Sequence, residues 1–251
     1  MQIPLQPAQF ERWCPTGRTQ KQDWYLRREG AAQPTDWRSA TDPDGNVRNR
    51  LSEAERLQWL LDMQEIIDFI ERLPAGQLMD VGCGPGWLME HLRGLGWECL
   101  GIEVADDACE YLHARRLSYA YDTHIAPDDC FDVVVSYHVL EHLQSPECTV
   151  AQLRRKLRKD GWFIVGTPDF ASPCAKRFGD KYRMLHDPTH ISLFTLDSMY
   201  RFLRDHGFTV HDVQYPFPDR YATPETTQRW LDTSKVSPPW PGNWMTFYAK
   251  K

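Results

Sequence analysis

Apolar positions run along this chain in two alternating rhythms. From Ser52 onward, Leu57, Leu60, Leu61, Ile66, Ile67 and Ile70 recur at helical spacing, which predicts a helix over about 52–73. Ser52 and Glu55 stand in a capping-box arrangement at its start. After it, short apolar runs alternate with amphipathic ones. QLMDVG, WECLGIE, SYAYD, FDVVVSYHV and WFIVGTP predict strands. WLMEHLRGLG, DDACEYLHARR and ECTVAQLRRKLRKDG predict helices, the first ended by Gly94 or Gly96 and the last closed by Gly161. TLDSMYRFLRDHG predicts a further helix capped by Thr195, and FTVHDVQY and NWMTFYAKK predict two final strands. Alternation of this kind implies an α/β fold: a doubly wound, mostly parallel sheet with helices on both faces.

Three stretches break the rhythm. Residues 1–50 lack a self-sufficient apolar pattern and are rich in Arg, Asp, Gln, Pro and Trp, so they are expected to form an extension or lid. Residues 169–192 and 216–242 are long, Pro-containing insertions that follow strands. Such insertions serve as lids or substrate walls, or as tolerated surface decoration.

Composition narrows the classes. At 251 residues the chain is one large domain or a domain with an extension. A formal net charge of −6 argues against a dominant nucleic-acid surface. No apolar run nears the ~20 residues of a membrane helix, and the start lacks a signal-peptide pattern. The seven cysteines form no CxxC pair, which argues for a reducing, cytoplasmic setting. Tryptophans cluster near the two ends, among them Trp24, Trp37, Trp230, Trp240 and Trp244, as packing or as an aromatic pocket. Oligomeric state is not legible.

The chemistry begins at LMDVGCGPGWL. Asp80 precedes Gly82, Cys83, Gly84, Pro85 and Gly86 at a strand-to-helix turn, where ligands of parallel sheets bind. One strand later Glu103 ends CLGIE, where an acid can accept hydrogen bonds from ribose hydroxyls. Strand, Gly-rich loop, helix, strand and acid form a nucleoside-binding half. The spacing is G-x-G-x-G rather than the dinucleotide G-x-G-x-x-G, which counts against a nicotinamide-dependent dehydrogenase.

At these residues the chain resembles the class I methyltransferases that use S-adenosylmethionine. LMDVGCGPG is similar to their first motif, GIEVADDA to the acidic second, and FDVVVSYHVLEHLQSP to the fourth-strand motif of the branch containing the ubiquinone-biosynthesis O-methyltransferases. LRRKLRKDGWFIVGTPD resembles their fifth strand and the helix before it. The resemblance covers about 55–215 and the last strand. It implies a seven-stranded Rossmann-like sheet with an antiparallel last strand, and a methyltransferase domain over 51–251. It further implies that the Gly82–Gly86 backbone lines the methionine part of the cofactor. Asp80 would organise the loop or reach the amino group, Glu103 would hold the ribose, and Val104 would lie against the adenine. Asp122 would stand near the adenine amino group, and Ser136 and Tyr137 would face the methyl-donor end.

For a hydroxyl acceptor a base must take a proton, and histidine suits neutral pH. His138 and His142 follow the fourth strand; His186 and His190 lie in the 169–192 insertion. His142 and His190 are the expected catalytic pair, acting on a small-molecule acceptor. Glu141, His142 and His190 also suggest a divalent-ion site similar to that of plant small-RNA 2'-O-methyltransferases, although those enzymes carry an acid where this chain has His138. An RNA or protein methyltransferase, or a catalytically silent binding relative, are the remaining alternatives.

Overall fold

The structure is a computed structural model that describes residues 24–28, 39–41 and 47–251. The expected extension over 1–50 therefore lies largely outside the described residues. Of it, β1 (Leu26–Arg27) pairs with β9 (Ser192–Leu193), and β2 (Ser39–Thr41) pairs with β3 (Val47–Asn49) as a separate antiparallel ribbon.

Seven strands form the central sheet: β4 (Gln77–Val81), β5 (Glu98–Ile102), β6 (Tyr119–Ala120), β7 (Phe131–Tyr137), β8 (Leu157–Pro168), β10 (Thr209–Gln214) and β11 (Trp244–Lys250). Their spatial order is β10-β11-β8-β7-β4-β5-β6. Strands β4 to β8 pair in parallel, and β11 runs antiparallel between β8 and β10. The expected fold is thus the observed one. Order reverses at β4, so β4, β5 and β7 end around one crevice.

Helices cover both faces. The first predicted helix is two, α1 (Glu53–Asp62) and α2 (Gln64–Glu71), divided at Met63. The division lets α2 bury Ile66, Ile67 and Ile70 while α1, capped by Ser52, stays at the surface with Leu57 and Leu61 exposed. Helices α3 (Trp87–Arg93) and α4 (Asp106–Ala114) follow their strands as expected. Helix α5 (Pro146–Lys156) is shorter than predicted. Leu157 is fully buried and pairs with Phe131, so β8 begins ahead of Gly161, where the pattern had extended the helix. Helix α7 (Leu196–Asp205) starts at a Thr195–Ser198 capping box.

Both insertions are structured. Residues 169–192 carry α6 (Pro173–Phe178), and residues 216–242 carry α8 (Pro224–Leu231). They share one apolar cluster: Phe170, Phe178, Tyr182 and Met184 pack with Trp230, Trp240 and Trp244. Burying these rings against each other fixes both insertions above the sheet edge where β8 ends and β11 begins. Leu26 of the N-terminal segment packs on the same cluster. No described helix is long and apolar enough to cross a membrane. The described cysteines, Cys83, Cys99, Cys109, Cys130, Cys148 and Cys174, are all free thiols.

Candidate active site

The glycine loop is shaped first by its own backbone. Gly82, Gly84 and Gly86 all have φ between 53° and 76°, a region closed to most side chains. At Gly86 an added Cβ would lie 2.6 Å from Leu112 and 2.7 Å from Leu117. The Gly82 and Cys83 N–H groups donate to the Ile102 carbonyl, and Gly86 donates to Cys83. Gly84 N–H donates to Glu103 Oε2 at 2.8 Å. Pro85 has no N–H. The loop's amides are thus taken up within the protein, and no amide cradle for a pyrophosphate remains. That argues against a dinucleotide.

What the loop presents instead is negative charge. Glu103 is buried, and its Oε1 accepts from Val104 N–H at 2.7 Å and Ala105 N–H at 2.9 Å. With Gly84, three of the roughly four acceptor positions of a carboxylate are used. Asp80, near the end of the neighbouring strand, is 4% exposed, and its Oδ2 has no hydrogen-bond partner. Burial, with the charge of Glu103 added, pushes the Asp80 carboxyl up to about 7. Ser136 pairs in register with Val81 and is fully buried, and its Oγ also lacks a partner. Buried polar atoms left unpaired are costly and point to a ligand. Two acids with an orphaned oxygen between strand ends suit a cationic one. Val104 is exposed beside Glu103, as an adenine face would require. Tyr137 ends β7, partly buried. Asp122 is exposed, and its Oδ1 accepts from His124 N–H at 2.8 Å, capping a short turn; no contact ties it to the crevice.

Beyond β7 the histidines converge. The His142 and His190 rings lie 4.8 Å apart. The Thr189 hydroxyl donates to Asp187 at 2.5 Å and lies 2.8 Å from His142 Nδ1, so it can only accept from the ring. The Thr189 carbonyl, 3.2 Å from the same Nδ1, likewise only accepts. His142 therefore carries its proton on Nδ1 and keeps a lone pair on Nε2. His190 Nδ1 donates to the Met184 carbonyl at 2.6 Å, with the same consequence. His190 is buried, and burial lowers its pKa despite the nearby charges of Glu141 and Asp187.

Glu141 is fully buried among them. It accepts from His138 Nδ1 at 3.0 Å and from the Thr167 hydroxyl at 3.0 Å. Burial alone would raise its pKa; the His138 hydrogen bond and the charges of the three histidines outweigh that and hold it at about 2. Glu141, His142 and His190 each offer a ligand atom, all within 4.8 Å of one another, a set that suits a divalent ion. His186 is exposed. Sequence reasoning missed Asp187, Thr189 and Thr167, which orient these groups. Their only signal was the Asx-type turn of Asp187 and Thr189 in HDPTH.

Comparison with known proteins gives the family. A family model described as a methyltransferase domain matches residues 54–213, and the chain belongs to that family. It is an S-adenosylmethionine-dependent methyltransferase. The ubiquinone biosynthesis O-methyltransferase of Burkholderia pseudomallei is 27% identical over 192 residues, covering 68% of this chain and 80% of the relative. The tRNA U34 carboxymethyltransferase of Pseudoalteromonas translucida is 30% identical over 122 residues, covering 45% and 37%. A solved S-adenosylmethionine-dependent methyltransferase from Archaeoglobus fulgidus matches in fold with a TM-score of 0.58 at 17% identity, over 78% of this chain and 94% of that one.

Proposed function

We propose that the protein transfers a methyl group from S-adenosylmethionine to a hydroxyl of a small molecule such as a phenol, a quinol, a sugar or a secondary metabolite. The observation that carries this reading is the His142–His190 pair, with free Nε2 lone pairs, at the same sheet edge as Asp80, Glu103 and Ser136. The likeness to ubiquinone-biosynthesis O-methyltransferases supports an oxygen acceptor.

When bound, S-adenosylmethionine supplies an activated methyl on a sulfonium. The chain does the rest. Asp80 and Glu103 provide the negative field that favours a cationic group. Gly82, Cys83, Gly84 and Gly86 give the loop its close backbone approach. Glu103 has one acceptor position left for a ribose hydroxyl, Val104 offers an apolar face to the base, exposed Asp122 would turn its second oxygen to the adenine amino group, and Ser136 and Tyr137 line the floor. His142, only partly buried, takes the acceptor's proton at Nε2, while Thr189 and Asp187 fix its ring. Buried His190, its charged form disfavoured, keeps a neutral neighbour beside it. Residues 169–192 and 216–242 would wall the acceptor in and exclude water.

A second reading keeps the same acceptor but has Glu141, His142 and His190 hold a divalent ion beside its hydroxyl, and rests on the convergence of those three groups. Incubation with methyl-labelled donor and a panel of hydroxylated metabolites tests the proposal. Labelled methyl ethers are expected. Label found only on amines, thiols, carboxylates or RNA would overturn it.

A further inference from the structure

We propose that the aromatic cleft built by residues 217–241 binds the apolar ring of an uncharged, ring-bearing methyl acceptor. This rests on the O-methylation reading above and narrows its acceptor class.

The cleft measures about 410 Å³, within the usual range for small-molecule sites, and Phe217, Tyr221, Thr226, Trp240 and two prolines form much of its wall. No ionisable carboxylate, amine, guanidinium or imidazole lines it. Its rings are fixed in advance. Trp240 stacks on Trp230 with centroids 4.0 Å apart and planes 15° apart, and the Arg177 guanidinium lies 5.2 Å from the Trp230 ring. Tyr221 stacks on Trp244 at 5.8 Å. The Arg220 guanidinium lies 4.4 Å from the Tyr221 ring and donates to its hydroxyl and to the Asp62 carboxylate of α1, which ties the wall to the domain and leaves Phe217 and Trp240 as the ring faces toward the cleft. Rings held in this way lose little freedom when a ligand arrives.

The threonine hydroxyls in the cleft are already engaged. Thr223 Oγ1 accepts from Thr226 N–H at 3.1 Å and lies 3.0 Å from Thr226 Oγ1, and the Thr227 hydroxyl donates to the Thr223 carbonyl at 3.2 Å. These contacts cap α8. A sugar needs an array of directional donors and acceptors, and a phosphate needs a cation; the cleft offers neither. It offers ring faces, and aromatic pairs add an attraction beyond that of burial alone.

The cleft adjoins the end of the sheet where β8 stops, through the stack of Tyr221 on Trp244. Trp244 begins β11 opposite Pro168, the last residue of β8, and Gly166 of β8 pairs with Tyr137 at the end of β7. Two strand spacings, about 10 Å, separate β11 from β7. Burial pushes the Tyr137 hydroxyl's pKa up, and the charge of Asp62 adds to it. A ring seated in the cleft would therefore lie at the strand ends from which the residues after β7, His142 among them, continue.

The test is a titration of the full chain, loaded with S-adenosylhomocysteine, with 2-naphthol, followed by calorimetry. Thr226→Glu puts a charge in the cleft without touching the stacked rings, and Phe217→Ala removes one wall. Unchanged S-adenosylhomocysteine affinity certifies that each variant is folded. Binding of 2-naphthol is expected, weakened tenfold or more by Thr226→Glu and severalfold by Phe217→Ala, with no competition from methyl glucoside. Absence of binding, equal affinity in both variants, or displacement by methyl glucoside would overturn the proposal. If a hydroxyl acceptor is methylated with the same KM by the native chain and by Thr226→Glu, the cleft is ruled out while O-methylation stands. If 2-naphthol binds as expected and no hydroxyl acceptor is methylated, the cleft stands and the O-methylation reading falls.

Discussion

Asp80 and Glu103 stand at the ends of adjacent strands, and the charge of Glu103 adds to burial in raising the Asp80 carboxyl to about 7. Glu103 is stapled to Gly84, Val104 and Ala105, while Asp80 keeps an unpaired oxygen. The pair is unfavourable until a cation arrives between them. That makes stability and ligand affinity respond to pH with opposite signs.

For stability, the folded pKa of Asp80 lies above its unfolded value of 3.8, so the native state binds more protons between about 4 and 7. Raising pH through that window should destabilise the unliganded protein. Asp80→Asn should remove this loss and raise the melting temperature at pH 8. For binding, the α-ammonium that S-adenosylhomocysteine shares with the methyl donor favours ionised Asp80. S-adenosylhomocysteine affinity should therefore climb as pH rises from about 5 and level off above about 7. In Asp80→Asn that climb should vanish. Melting curves and calorimetry across pH measure the two effects.

Gly86→Ala should cost stability. Its φ of 76° strains any L side chain by about 1–2 kcal/mol, and the new methyl would press on Leu112 and Leu117, adding about 1–3 kcal/mol. Denaturant unfolding should give a lowered midpoint with an unchanged slope.

The histidine pair predicts a split in kinetic constants. Loss of a general base costs ~10²–10⁴-fold in rate, so His142→Ala should lower kcat by that order and leave cofactor affinity intact. His190→Ala should do the same if it shares the proton. Thr189→Val, which removes the hydroxyl that orients His142, should lower kcat by a smaller factor. Activity lost to a chelator and restored by a divalent ion would transfer the role from base to metal ligand. Full kcat in both histidine variants would exclude a histidine base.

The place of the glycine loop and its two acids was legible in the sequence because it depends on local order. Asp80, the glycines, Glu103 and Ser136 are each fixed by position within a strand or the turn after it, and the strands themselves read clearly from their apolar runs. What lay beyond reach depends on distant contacts. The break at Met63 and the early start of β8 at Leu157 follow from burial against other elements, and both segments keep a helical apolar spacing in isolation. The fixing of His142 by Thr189 spans 47 residues, and the tie from Arg220 to Asp62 spans 158. The aromatic cleft likewise joins residues that no motif connects. Asp122 follows β6 as its place in the sequence implied, and its Oδ1 caps the turn there.

Calorimetric titration with S-adenosylhomocysteine tests the central claim most directly. The native chain should bind it and give no heat with NADH. Gly84→Val forces a branched side chain onto φ 53° at the ligand-facing turn, and Glu103→Ala deletes a carboxylate whose charged hydrogen bonds are worth about 1.5–3 kcal/mol each. Each variant, folded by circular dichroism, should bind at least tenfold more weakly. Unchanged affinity in both would contradict the assignment of this loop and this acid to the methyl donor.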